Sequence, residues 1–213
     1  MSDPSDRGWG PGWPNCQKDK LIAFEEADIL WRMRSEIEVP ARALVVRWHD
    51  EIERLDDAEC GSFACRAKRK SKKPSLHSWG LAFDFNTLRH PFEALGTWSD
   101  AKEMQILALL AEPVWDDCWE WGGTWTDPHD PHHVQWIGTP EDAVRVSLAV
   151  TLAAREDPVM FTARHSNGKV YLFGAGGKPI HLNQAESKAA DEAGIPRKEL
   201  PDSLIDKALT GDS

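Results

Sequence analysis

Residues 75–86, SLHSWGLAFDFN, constrain the fold more than any other part of the chain. After Gly80 the residues alternate, with Leu81, Phe83 and Phe85 on one side and Ala82, Asp84 and Asn86 on the other. A period of two is that of a half-buried strand. We therefore expect the phenylalanines to pack on a core and Asp84 to face away from them, into a cleft. His77 precedes Asp84 by seven positions. On one continuous helix that spacing is two turns, roughly 10 Å along the axis. On one continuous strand an odd spacing puts the two side chains on opposite faces. Neither geometry lets both groups meet one ion or one small substrate. Cooperation requires the chain to bend between them, and Gly80 is the residue that permits a bend.

Around this strand the sequence reads as mixed helix and strand. Residues 1–20 are rich in Gly, Pro, Ser and Asp and form an irregular lead-in. Residues 35–55 carry Ile37, Ala41, Leu44, Val45, Trp48 and Ile52 at spacings of three and four, which predicts an amphipathic helix. Ser35 and Glu38 fit a capping box for it. A second helix is expected over 99–113 with Ser99 as N-cap, and a third over 139–155 with Thr139 as N-cap and Pro140 at the first position. Beyond residue 156 the pattern changes. Residues 159–174 read as two strands joined by an Asn167-Gly168 turn. Residues 176–182 offer a third strand, and 183–194 and 201–209 two short helices. We place a boundary at Asp157-Pro158, dividing a domain of residues 1–156 from a small hairpin-plus-helix module of residues 157–213. No βαβα rhythm is present, so the fold class is α+β.

Composition excludes several functions. The 213 residues carry a formal net charge of −10, a poor balance for nucleic-acid binding, which needs clustered Lys and Arg. No apolar run reaches the 18 or so residues that span a membrane. The N-terminus lacks the basic and apolar regions of a secretory signal, so we expect a protein held in a cytoplasm until released. None of Cys16, Cys60, Cys65 and Cys118 forms C-x-x-C, which argues against a cysteine zinc site. Cys60 and Cys65 are near enough in sequence to pair in an oxidising space. Eleven Trp stand against one Tyr. Trp31 and Trp48 are expected in the core, on or near helical faces. Residues 66–73 form a basic loop with Arg66, Lys68, Arg69, Lys70, Lys72 and Lys73. We expect a solvated mobile loop, with attraction to an anionic polymer as the functional alternative.

Alone, His77 and Asp84 would read as a loop histidine and a solvated strand residue. A second cluster, DPHDPHHVQW, changes the balance: it holds His129, His132 and His133 with Asp127 and Asp130. Zinc takes three or four ligands of the His, Asp, Glu or Cys type, and a catalytic site keeps one position open for water. His77, Asp84 and one histidine of the cluster would make such a set. A nearby carboxylate would then serve as the proton acceptor.

These residues carry a resemblance. SLHSWGLAFDFN resembles the S-x-H-x-x-G-x-A-x-D-x-N motif of the zinc D-Ala-D-Ala peptidase family, which includes vancomycin-resistance dipeptidases, D,D-carboxypeptidases and phage L-alanyl-D-glutamate endopeptidases. DPHHVQ resembles its D/E-x-x-H-x-E/Q motif, and WEWGGTW contains the W-G-G-x-W of the phage-lysin branch. CGSFACR is similar to the segment that carries that branch's arginine, and GWPNC to the start of peptidase domains in lysins from phages of actinobacteria.

The resemblance implies a small antiparallel sheet flanked by helices, as in hedgehog and D,D-peptidase folds. It implies zinc on His77, Asp84 and His133, with Asp130 as general base and acid. An acid three positions before His133 fits the motif, whereas three before His132 stands His129. Arg66 would hold the oxyanion. Ser75, Trp79, Trp121, Trp125 and Gln135 would contact substrate, and His129 and His132 would line the cleft or face solvent. Asp130 and Gln135 stand where many members have glutamate, and Val134 where phenylalanine is common. The implied function is a monomeric zinc metallopeptidase acting on peptidoglycan stem peptides, as a phage endolysin. A non-catalytic cell-wall-binding protein and a D,D-carboxypeptidase of wall maintenance are the alternatives. The C-terminal module is expected either to bind cell wall or to serve packing or self-association.

Overall fold

The computed structural model describes residues 3–69, 71–154, 161–173 and 179–210. The chain divides into two compact units, Met1–Ser147 and Leu148–Ser213. The boundary expected at Asp157-Pro158 lies outside the described residues.

In the first unit, β1 (Leu21–Glu26) and β2 (Ile29–Arg34) form an antiparallel hairpin that hydrophobic periodicity barely announces. Its turn puts Ala27 and Asp28 at φ of 55° and 60°, the two left-handed positions that Asn-Gly would fill most easily. Trp31 is thus a strand residue rather than a helical one, although it is fully buried as expected. The helix expected over 35–55 is broken into three parts. A 3₁₀ turn (Ser35–Ile37) leads into α1 (Glu38–Arg47), which continues as a π turn (Trp48–Ile52). The Ser35–Glu38 capping box does not form: Ile37 is the N-cap, and the Ser35 hydroxyl donates to Glu36. Pro40 explains this. A start at Ser35 would place Pro40 fifth in the helix, where its missing N–H is needed. A start at Glu38 places it third, where no intrahelical bond is required.

A three-stranded sheet has the order β3-β5-β4: β3 (Ala82–Asp84), β4 (Trp119–Trp121) and β5 (His133–Trp136), all antiparallel. Its register pairs Phe83 with Val134 and Val134 with Trp121, so one face is apolar. That face meets an aromatic core. Phe83 and Phe85 stack at 5.1 Å, Trp31 stands edge-on to both at 5.2 and 5.7 Å, and Trp48 lies 4.8 Å from Phe85. Such pairs add about 0.5–1.5 kcal/mol each beyond the area they bury, which gives the tryptophan excess a structural use. The strand at LAFDFN ends at Asp84. Asn86, expected on the same face, turns to φ 49° and is buried, receiving the Asp56 N–H and donating to Arg54 and Glu53. Helix α2 (Asp100–Leu110) is capped by Ser99, whose hydroxyl accepts from Lys102 N–H. In α3 (Pro140–Ala153) the Thr139 and Asp142 side chains cap each other's backbone reciprocally.

The second unit holds a four-stranded sheet of order β8-β7-β6-β9. Strands β6 (Phe161–Arg164) and β7 (Val170–Phe173) make the expected hairpin, with Gly168 at φ 85°, and β8 (Ile180–Leu182) adds the third strand. A short β9 (Arg197–Lys198) lies parallel to β6. Helices α4 (Gln184–Glu192), with an Asn183–Glu186 capping box, and α5 (Asp202–Thr210) complete it. Its core is Ala163, Tyr171 and Ile205 with Phe161, Phe173, Leu200 and Leu209. The architecture of the chain is α+β, with small, mainly antiparallel sheets and flanking helices.

Candidate metal centre

The polar face of β3-β5-β4 carries the candidate ligands. Asp84 and His133 are register partners across β3 and β5, and Gln135 and Glu120 are partners across β5 and β4. Because the side-chain period is two, all four point to the face opposite Phe83, Val134 and Trp121. His77 arrives from a 3₁₀ turn (Leu76–Trp79) that ends at Gly80 with φ 72°. A Cβ on Gly80 would lie 2.9 Å from the Arg34 backbone nitrogen, so the bend is closed to other residues. The bend returns His77 to Asp84: Nε2 is 3.1 Å from Oδ1.

Three ligand atoms therefore converge. His77 Nε2, Asp84 Oδ1 and His133 Nδ1 are separated by 3.0, 3.1 and 3.2 Å, and these residues form one candidate metal group. Tetrahedral ligands about 2.0–2.1 Å from one ion stand about 3.3 Å from one another, so the set fits zinc in atom type and spacing. Outer partners fix each ring. His77 Nδ1–H donates to the Ser62 carbonyl at 2.5 Å. His133 Nε2–H donates to Gln135 Oε1 at 3.0 Å, and the Gln135 amide donates to Glu120 at 2.5 Å. The Ser62 segment is itself held to β3 by paired bonds between Gly61 and Asp84.

Electrostatics match this arrangement. Burial alone would raise the Asp84 carboxyl, but His77 and His133 outweigh it and hold it well below the ordinary carboxylate range. Burial would lower His133, yet Asp84 and Asp130 raise it. Asp130 is pushed up by burial, with His132 and His133 opposing. Its Oδ1 lies 3.1 Å from His132 Nε2 but is buried without a hydrogen-bond partner.

The cluster floors a cleft of about 210 Å³ lined by Ser75, Trp125, Asp130, His132 and Gln135 among others. Arg66, Lys68 and Arg69 form a cationic wall of it. The basic stretch is not a free loop there: Ala67 bridges Pro74, Lys68 N–H donates to the Lys73 carbonyl, and the Arg69 guanidinium covers the Phe92 ring at 4.7 Å. Lys70 lies outside the described residues. Of the expected substrate contacts, Trp79 and Trp121 belong instead to the core. Both are buried, their indole N–H groups donating to Gly10 and Pro131 carbonyls, and their rings fill the space beside Gly12 and Gly123. His132 is also buried, donating from Nδ1 to the His90 carbonyl while its Nε2 faces the cleft. His129 bonds the Trp125 carbonyl.

The cysteine pairing differs from the expectation. Cys65 pairs with Cys16 across 49 positions, not with Cys60. Cys60 is a free thiol against Asn86, and nearness in sequence gave no hint of the longer closure. Cys118 is buried, and burial pushes its thiol up to about 12, which removes it as a nucleophile. Ser62, His90, Glu120 and Phe92 were not singled out by sequence. Only Glu120, alternating between Trp119 and Trp121, left a trace there.

No curated protein and no solved structure matches the chain. Residues 69–136, which include Ser75, His77, Asp84, Asp130, His133 and Gln135 but not Arg66, match the model of a family described as D-alanyl-D-alanine carboxypeptidase.

Proposed function

We propose that the chain is a zinc metallopeptidase that hydrolyses amide bonds in peptidoglycan stem peptides. The observation that carries this reading is the convergence of two imidazole nitrogens and one carboxylate oxygen within 3.2 Å. They lie in a cleft that also holds the half-buried Asp130 carboxylate, whose Oδ1 has no hydrogen-bond partner. The family match over the same residues supports it. His77, Asp84 and His133 would hold zinc, which when bound supplies Lewis acidity and lowers the pKa of water in its open position.

The chain's own groups do the rest. Asp130 takes a proton from the attacking water and returns it to the leaving amine, a task suited to a carboxyl whose pKa burial has raised. Arg66 lines the same cleft and is the candidate for holding the developing oxyanion. With Lys68 and Arg69 it presents positive charge to the carboxylates of a stem peptide. The finer reading, a lysin peptidase of phage origin released to the host wall, rests on the W-G-G-x-W and GWPNC resemblances.

The test compares wild type and Asp130→Asn on actinobacterial peptidoglycan, with bound zinc measured in both. New amino termini from wild type alone support the enzyme. None from either, with zinc bound in both, leaves a binding protein as the surviving reading. Mass spectrometry of the digested muropeptides separates an endopeptidase from a carboxypeptidase.

A further inference from the structure

We propose that Glu120 is a positioning residue for the metal centre, acting through Gln135 on the ring of His133. The proposal rests on the metallopeptidase reading above and concerns how one ligand is kept competent.

His133 turns Nδ1 towards Asp84 and His77. To donate a lone pair from Nδ1, a neutral ring must carry its proton on Nε2. Whatever faces Nε2 must therefore accept a hydrogen bond. What faces it is an amide, Gln135, at 3.0 Å. An amide is ambivalent, since one end accepts and the other donates. Flipped, Gln135 would offer N–H to Nε2. That would favour a lone pair on Nε2 and a proton on Nδ1, where a metal could not bind.

Glu120 removes the ambivalence. Its carboxylate lies 2.5 Å from Gln135 Nε2 and can only accept. Two oxygens facing each other would repel, so the Gln135 amide nitrogen must point to Glu120 and its oxygen to His133. The backbone makes the contact obligatory, because Glu120 and Gln135 are register partners on neighbouring strands, with His133 two residues along on the same face. Gln135 is buried. A carboxylate one link beyond a ligand thus sets the tautomer of that ligand through a neutral relay. Partners of this outer kind typically carry about 10–100-fold in metal affinity.

The test measures zinc affinity of the apo protein by chelator competition, and the visible absorption of its cobalt(II) form, for wild type, Glu120→Ala and Glu120→Ala/Gln135→Glu. Glu120→Ala is expected to weaken zinc by about 10–100-fold. The double variant gives Nε2–H a direct carboxylate and makes Glu120 dispensable, so it is expected to recover affinity to within about threefold of wild type and to restore the cobalt spectrum. A loss caused by poor folding at position 120 would persist in the double variant. Glu120→Ala binding as tightly as wild type, or a double variant as weak as Glu120→Ala, overturns the relay alone. A wild type that binds neither ion overturns the metallopeptidase reading and the relay with it.

Discussion

Asp84 and His133 stand opposite one another on β3 and β5, with Oδ1 and Nδ1 3.0 Å apart. Backbone pairing thus sets two of the three candidate ligands before any ion arrives, while Nε2 of the adjacent His132 faces Asp130 at 3.1 Å and stands 3.7 Å from Asp84. Its Nδ1 is committed to the His90 carbonyl. His133→Ala is therefore expected to abolish stoichiometric zinc binding, whereas His132→Ala should lower thermal stability yet still take up one zinc. Metal analysis of the two purified variants checks this. The reverse order would move the ligand set by one residue.

The proposed role of Asp130 as base sets stability against activity. Burial raises its folded-state pKa above the unfolded value. A raised carboxyl favours the protonated form in the fold, so its stabilising contribution is complete below the unfolded pKa and is lost as pH rises through the folded one. At neutral pH the ionised group costs stability. Asp130→Asn is therefore expected to melt higher than wild type at pH 7, the advantage vanishing below about pH 4. The same change should lower amide hydrolysis by about 10²–10⁴-fold with zinc retained. Melting curves across pH, alongside release of amino termini, measure both.

The apo pair of Asp84 and His133 titrates in opposite senses. His133 is raised, so its contribution is present below the ordinary imidazole value and fades as pH rises through the raised one. Asp84 is lowered, so its contribution is present above the ordinary carboxylate value and fades as pH falls. Apo stability from this pair is thus greatest between about pH 4 and 6.5. Metal must displace the His133 proton. The gain in melting temperature on adding zinc is expected to grow from pH 5 to pH 8, and calorimetry in buffers of different ionisation enthalpy should show proton release on binding. A gain independent of pH would mean that His133 is neutral before the metal binds.

Local patterns announced the centre of the site but not its surroundings. The alternation of LAFDFN fixed which way Asp84 faces, and Gly80 marked the bend that returns His77 to it. Caps at Ser99 and Thr139 were legible because each bonds backbone three residues away. The hairpin β1-β2 was not, because Ala27 and Asp28 adopt left-handed angles without the residues that advertise them. The core placement of Trp79 and Trp121 depends on what lies across from them, Gly12 and Pro131, and periodicity carries no such information. Glu120 acquires its partner only through strand register, which joins segments 15 residues apart.

The Cys16–Cys65 bridge is the least local of these features and lends itself to direct measurement. It closes a span of 49 positions, and the chain-entropy estimate for such a loop is about 4 kcal/mol. For a chain of this size that corresponds to a fall in melting temperature of about 10 °C. Cys65 adjoins Arg66, and the neighbouring backbone is tied to the His77 turn by Ala64 N–H to the His77 carbonyl and Ser75 N–H to the Arg66 carbonyl. Those bonds survive reduction, so Cys16→Ser/Cys65→Ser is expected to bind zinc normally while melting lower. Cys60→Ser should change the melting temperature little, since its thiol meets Asn86 and the Asp56 backbone in contacts that a hydroxyl can also make. Thermal melts with and without reductant test the pairing. A fall in Cys60→Ser with little change in Cys16→Ser would mean that Cys65 has the other partner in solution.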